Sequence, residues 1–172
     1  GSRTDAPVFL SRELFPIEVE SDPEDARRAS APLWYRSMDE WGRKNRLHAD
    51  IDFHHNLKEL LPASKFRDSH PEFYPVFEGK HELPPDDEYY QWQPNFSAPG
   101  IAEASANEII AYFEKHPEKQ SYSLGINDSL HFDGSEESKA RRSGAKNSIG
   151  LEDISDDYFQ WTNEVAALVE KK

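Results

Sequence analysis

The chain has 172 residues and a formal charge of -13, with 36% apolar and 31% charged residues and with 4 Trp, 7 Tyr and 10 Phe. That length suits one domain with a real hydrophobic core, and so many aromatic residues exclude a disordered chain. The acidic balance repels phosphate backbones and anionic bilayers, no apolar run reaches membrane-spanning length, and the absence of Cys excludes disulfides and thiolate metal sites; nucleic acid and membrane are therefore not expected partners.

The leading Gly1-Ser2 reads as a cloning scar and residues 1–6 as a tail, with a single domain expected over 7–172. Residues 7–19 have strand-like apolar content, interrupted by Arg12 and Glu13, and 21–30 read as a loop or short helical turn around Pro23. From Pro32 the pattern turns helical, since Leu33, Trp34, Met38 and Trp41 recur at spacings of three and four. Leu47 to His55 alternates in part and predicts a strand ending in His54-His55. Asn56 to Pro62 then allows a short helix that proline closes.

The stretch 69–88 carries four prolines and predicts a long inserted loop, with a small hairpin around Gly79. Tyr89 to Asn95 reads as an aromatic strand ending at Gln93, Pro94 and Asn95. A helix follows through Ile101, Ser105, Ile109, Tyr112 and Phe113, and it should stop before His116-Pro117, because a residue preceding proline avoids helical geometry. Ser121 to Ser129 is an apolar strand that empties into Asn127-Asp128. The polar segment 129–149 is expected to be a mobile loop. Asp153 or Ser155 can cap a last helix with Tyr158, Thr162, Val165, Ala166 and Val169 on one face.

Four alternating strand-helix units imply an α/β fold with parallel strands and right-handed crossovers, either half of a TIM-type barrel, with two long loop insertions, or a small open sheet. A half-barrel leaves sheet edges open, so self-association or a missing barrel half is the expected covering partner.

Parallel strands would bring Arg12 or Glu13, His54 with His55, Gln93 with Asn95, and Asn127 with Asp128 to one rim, the usual place for ligand groups in such folds. Polar side chains beside aromatic rings suit a carbohydrate, with hydroxyls at its edge and weakly apolar faces. Asp128 is the candidate catalytic acid or base, and Asn127 its neutral neighbour. Locally, Asn127-Asp128-Ser129 also reads as plain turn chemistry. Glycosidic cleavage normally needs a second carboxyl, for which Glu13, Asp50, Asp52 and Asp133 are among the available acids. Asp133 and Glu136-Glu137 read as a solvated loop. Adjacent His54 and His55 point to opposite faces of a strand, so no metal is expected, and no cofactor motif is present.

The linked order His54-His55, Leu60-Leu61-Pro62, His70-Pro71-Glu72-Phe73-Tyr74 with Gly79-Lys80, Trp92-Gln93-Pro94, Asn127-Asp128, then Ser155-Asp156-Asp157-Tyr158-Phe159 with Asn163-Glu164-Val165 resembles an uncharacterised bacterial domain family. That family is grouped with glycoside hydrolase TIM barrels, near α-glucuronidases and hexosaminidases. The resemblance runs from about Trp34 to the C-terminus. It implies a carbohydrate-active barrel in a secreted, periplasmic or cell-surface protein, with His54, His55, Trp92, Asn127 and Asp128 lining the pocket. Members often carry a cysteine-rich segment after the Asn-Asp strand, where this chain has Leu130-His131-Phe132-Asp133-Gly134-Ser135. The function expected is a glycoside hydrolase-like barrel domain; the alternative is a non-catalytic carbohydrate-binding or scaffold domain. An interaction domain using 69–88 as its contact surface ranks last.

Overall fold

A computed structural model gives the fold and describes residues 53–172. The strand expected over 7–19, the helix expected from Pro32 and most of the 47–55 strand lie outside the described residues, as do Arg12, Glu13, Asp50 and Asp52. Two single-turn helices begin the described chain, α1 (Leu57–Leu60) and α2 (Ala63–Phe66). Pro62 lacks the N–H that would continue α1, and its extended backbone instead starts α2, whose Phe66 N–H donates to the Pro62 carbonyl at 3.1 Å. Leu57, Leu60, Leu61, Ala63 and Phe66 are buried, so both turns exist by virtue of the core they cover.

A tight turn at Pro71–Phe73 leads into a two-stranded antiparallel hairpin, β1 (Val76–Phe77) and β2 (Lys80–His81), with Val76 opposite His81 and Phe77 opposite Lys80. Glu78 and Gly79 make its turn, with φ of 48° and 77°. Two successive positive φ values match the twist of a hairpin, and glycine adopts its one without strain. This is the hairpin expected around Gly79.

Trp92 to Ala98 is buried at every residue, yet among the described residues it forms no strand with a neighbour, unlike the expectation for Tyr89 to Asn95. Its backbone donors are spread over different partners: Gln93 N–H reaches the His131 carbonyl and Asn95 N–H the Phe73 carbonyl, each at 2.9 Å. A ladder needs successive bonds to one neighbour, and among the described residues there is none.

Helix α3 (Ile101–Lys115) follows the expected pattern, burying Ile101, Ser105 and Ile109 and ending at His116, before Pro117. The segment 129–149 differs from the expected polar loop, since it holds α4 (Glu136–Arg141), capped by Ser135, whose hydroxyl oxygen accepts the Ser138 N–H at 3.2 Å. Helix α5 (Ser155–Val169) packs along α3. Its buried positions are Asp157, Trp161 and Val165, spaced by four, while Ala166, expected on that face, is exposed. The Phe96 ring lies 5.1 Å from Trp161 and 5.5 Å from Tyr158, so the irregular 92–98 segment fills the space beside α5.

Residues 122–127 alternate, with Ser123, Gly125 and Asn127 buried between half-buried Tyr122, Leu124 and Ile126. This period of two marks extended chain beside a neighbour. Among the described residues that neighbour is His55, which pairs in parallel with Gly125, and Asn56 N–H donates to the Gly125 carbonyl at 2.9 Å. Gly125 is required by the approach: a Cβ there would stand 2.3 Å from the His54 carbonyl oxygen.

Candidate functional site

The parallel contact sends two chain segments in the same direction, and each ends in a polar residue. His55 terminates one and is exposed. Its Nδ1 lies 2.5 Å from the Ile126 carbonyl oxygen, which can only accept, so Nδ1 carries the proton of the neutral ring and Nε2 is left with an open lone pair. Asp128 terminates the other. Its carboxylate is exposed and makes no hydrogen bond or ion pair with the described residues.

His55, Asn127 and Asp128 are shared by two adjoining hollows. One, of about 210 Å³, adds Lys58 and Tyr90. The other, of about 490 Å³, adds Gln91, Ile126 and the run Ser129 to Phe132. Asp128 is thus the one carboxylate among the lining residues of either hollow. The Lys58 ammonium sits 3.3 Å from Glu59 and 3.5 Å from Glu88, and the hydrogen bond with Glu59, followed by the charges of both carboxylates, raises its pKa against the opposing effect of burial. Lys58 therefore stays cationic as a donor, with its charge partly balanced. Tyr90 and Leu130 offer exposed apolar surface at the edges. Phe77 of β1 lies 5.1 Å from His131, so the hairpin abuts the larger hollow.

The other expected site residues are engaged elsewhere. His54 Nε2 lies 3.1 Å from Asn56 Oδ1, while its backbone is held by Ser123, whose hydroxyl accepts the His54 N–H at 3.0 Å. The neighbouring imidazoles thus serve different faces, as strand geometry requires. Gln93 and Asn127 are buried, and so are Trp92 and Asn95. Trp92 Nε1–H donates to the Tyr89 carbonyl at 2.8 Å, and Asn95 Oδ1 accepts the Ser97 N–H at 3.1 Å and the Ser138 hydroxyl at 3.3 Å. The structure therefore brings His55 and Asp128 together at the surface over an Asn127 floor, and it encloses Trp92, Gln93 and Asn95 beneath. Among the described residues no group of three or more His, Asp or Glu side chains is arranged to hold a metal ion.

Three charged residues have a structural weight that the sequence reading did not assign to them. Asp133, expected in a solvated loop, is buried: its carboxylate accepts the Val76 N–H at 2.7 Å, the Ser135 N–H at 3.2 Å and the Ser135 hydroxyl. Arg142 and Asp157 meet behind it. A signal for Asp157 was present, because it lies four and eight residues before Trp161 and Val165 on the buried stripe of α5. For Lys58, Tyr90 and His131, which line the hollows, the order of residues carried none.

All of these features fall within residues 4–172, over which the chain matches the family described as Domain of unknown function (DUF4838), and the chain belongs to that family. Comparison with curated proteins and with solved structures gave no significant match.

Proposed function

We propose that this chain forms part of a glycoside hydrolase-like barrel, a half-barrel of parallel strand-helix units, that binds and cleaves a polysaccharide or oligosaccharide at the rim where His55 and Asp128 meet, with Asp128 as the acid or base. The observation that carries this reading is the parallel pairing of His55 with Gly125, which directs two segment ends to one side and opens both onto the same hollows. Carboxyl ends of parallel strands are where such folds gather their chemistry. The lining fits a sugar: Tyr90 supplies a ring face, Lys58 a donor, His55 Nε2 an acceptor, and Asp128 an ionisable group in reach of water. Open sheet edges in this reading are covered by a second copy or by further barrel units.

A second reading, a non-catalytic carbohydrate-binding or scaffold domain, is favoured by one observation. Cleavage uses two carboxyl groups about 5–10 Å apart, and neither hollow has a second one among its lining residues. Asp128→Asn tested against a glycan panel separates the two. Loss of turnover with binding retained supports cleavage by Asp128. Binding by the wild-type chain with no turnover of any glycan supports the second reading, and no binding of any glycan sinks both.

A further inference from the structure

We infer that Gln93 and Asn127 are positioning residues, a pair of buried carboxamides that fix the backbone on either side of Asp128 so that an otherwise unbonded carboxylate is held at one place in the hollows. The functional meaning of this clasp rests on the reading of Asp128 given above, whereas its existence does not.

Asp128 is exposed and has no side-chain partner among the described residues, so any constraint on it must come through its own backbone. Gln93 supplies that constraint. Its Nε2 donates to the Asn127 carbonyl at 2.7 Å and to the Ser129 carbonyl at 2.8 Å, and its Oε1 accepts the Asn127 N–H at 3.1 Å. One side chain thus offers the donors and acceptor that a neighbouring strand would have offered, at the place where residues 89–95 fail to become one.

Asn127 works outward from the same point. Its Nδ2 donates to the Trp92 carbonyl and its Oδ1 accepts the Lys58 N–H, both at 2.9 Å. Lys58 is the second residue of α1, and its N–H is one of those a helix start leaves without an internal partner. Asn56, at the cap position, makes no side-chain capping bond. The helix that carries Lys58 into the smaller hollow is therefore capped by the residue next to Asp128.

Gln93 is 0% exposed and Asn127 2%. Enclosing two carboxamides is costly unless their groups are paired, and an apolar pair would fill the same space without that demand. What the carboxamides add is one fixed geometry, since buried polar groups that are fully paired specify a single arrangement and keep a functional side chain in place.

Gln93→Glu tests the clasp. At neutral pH the introduced carboxylate still accepts the Asn127 N–H but faces the carbonyl oxygens of Asn127 and Ser129 with no hydrogen to give; acidification restores a donor. The expected result, well below the melting temperature, is a loss of about tenfold or more in exchange protection of the Asn127 amide, with a displaced Asp128 carboxyl resonance by carbon NMR at neutral pH. The protection should revert toward its wild-type value on acidification, with exchange scaled to the intrinsic rate at each pH. A residue that served stability alone would lower the melting temperature and leave the Asn127 amide protection and the Asp128 carboxyl resonance of the folded chain unmoved, which would overturn the inference. The wild-type chain supplies a check that needs no variant: the Gln93 carboxamide protons and the Asn127 amide should exchange slowly, and exchange as fast as the Asp128 amide would refute the clasp. If the clasp holds while no glycan binds, the saccharide reading fails and the clasp around the Asp128 backbone stands.

Discussion

Arg142 and Asp157 face each other inside the protein, with Nη2 of the guanidinium 3.6 Å from Oδ2 of the carboxylate and both side chains almost wholly enclosed. The same nitrogen donates to the Asp133 carbonyl at 2.7 Å, and Ser97 donates its hydroxyl to the other Asp157 oxygen at 2.9 Å. This pairing joins α5, the 92–98 segment and the chain around α4. Removing the guanidinium leaves the Asp157 charge buried without an ionic partner, so Arg142→Ala should cost roughly 3–5 kcal/mol. Urea unfolding measures it. The double variant Arg142→Met with Asp157→Leu should lose less than the two single changes summed, because it removes both charges together. Strict additivity would mean that the two groups do not interact.

Gly125→Ala tests the parallel contact. The new methyl would collide with backbone, the His54 carbonyl oxygen at 2.3 Å, and no flexible side chain can absorb the clash. The expected loss is about 1–3 kcal/mol, the range for forcing extra volume into a packed site. The amide of Asn56, which donates to the Gly125 carbonyl, should lose its exchange protection at the same time. An alanine variant with unchanged stability and a protected Asn56 amide would place the two segments further apart than described.

Acid should weaken the start of α5. The Asp153 carboxylate accepts the Ser155 N–H at 2.9 Å, and its bonds with Ser155, side chain first and then backbone, hold its pKa below the ordinary 3.8. A depressed carboxylate favours the folded state above its unfolded pKa, and that contribution fades as pH falls below 3.8 through the folded value. Asp153→Ala should therefore melt earlier than wild type at neutral pH, with the gap closing below pH 3.8. A gap that stays constant through the acid range would show that this carboxylate does not titrate differently in the folded chain.

Alkali should act through tyrosine. Burial raises the pKa of Tyr74, Tyr122 and Tyr158 above the ordinary 10.0, most strongly for Tyr74. Each folded-state pKa is higher than its unfolded one, so the stability these rings contribute is complete below pH 10.0 and is lost as pH climbs toward their folded values. Ultraviolet titration should show a normal set of tyrosines followed by a late set that ionises together with unfolding. A single uniform titration near the ordinary value would contradict the burial of these rings.

Features encoded by neighbouring residues were legible in the sequence. The stripe of α3 and its stop before Pro117, the Gly79 turn and the polar Asn127-Asp128 end of the 121–129 segment all follow from local spacing. Residues whose partners are distant were not. Gln93 bonds to backbone atoms of Asn127, 34 positions away, and no pattern near position 93 announces that. Asp133 looks solvated in the sequence because its polar neighbours are the donors that satisfy it, and only the fold brings Val76 to complete the set. The cap of α4 sat within reach, since Ser135 followed by Glu136 and Glu137 is a helix start, but the surrounding polar residues masked it.

The parallel contact also orders events in time. Lys58 and Asn127 stand 69 positions apart along the chain, and bringing such ends together costs roughly 4 kcal/mol of chain entropy beyond a constant. Local pieces such as the hairpin and α3 carry no comparable penalty, so in refolding they should acquire exchange protection before the amides of Asn56 and Asn127 do. Pulse-labelled exchange would read that sequence. It follows that the surface holding His55 and Asp128 is assembled late, and that a half-folded chain can have its helices and still lack the hollows those two residues line.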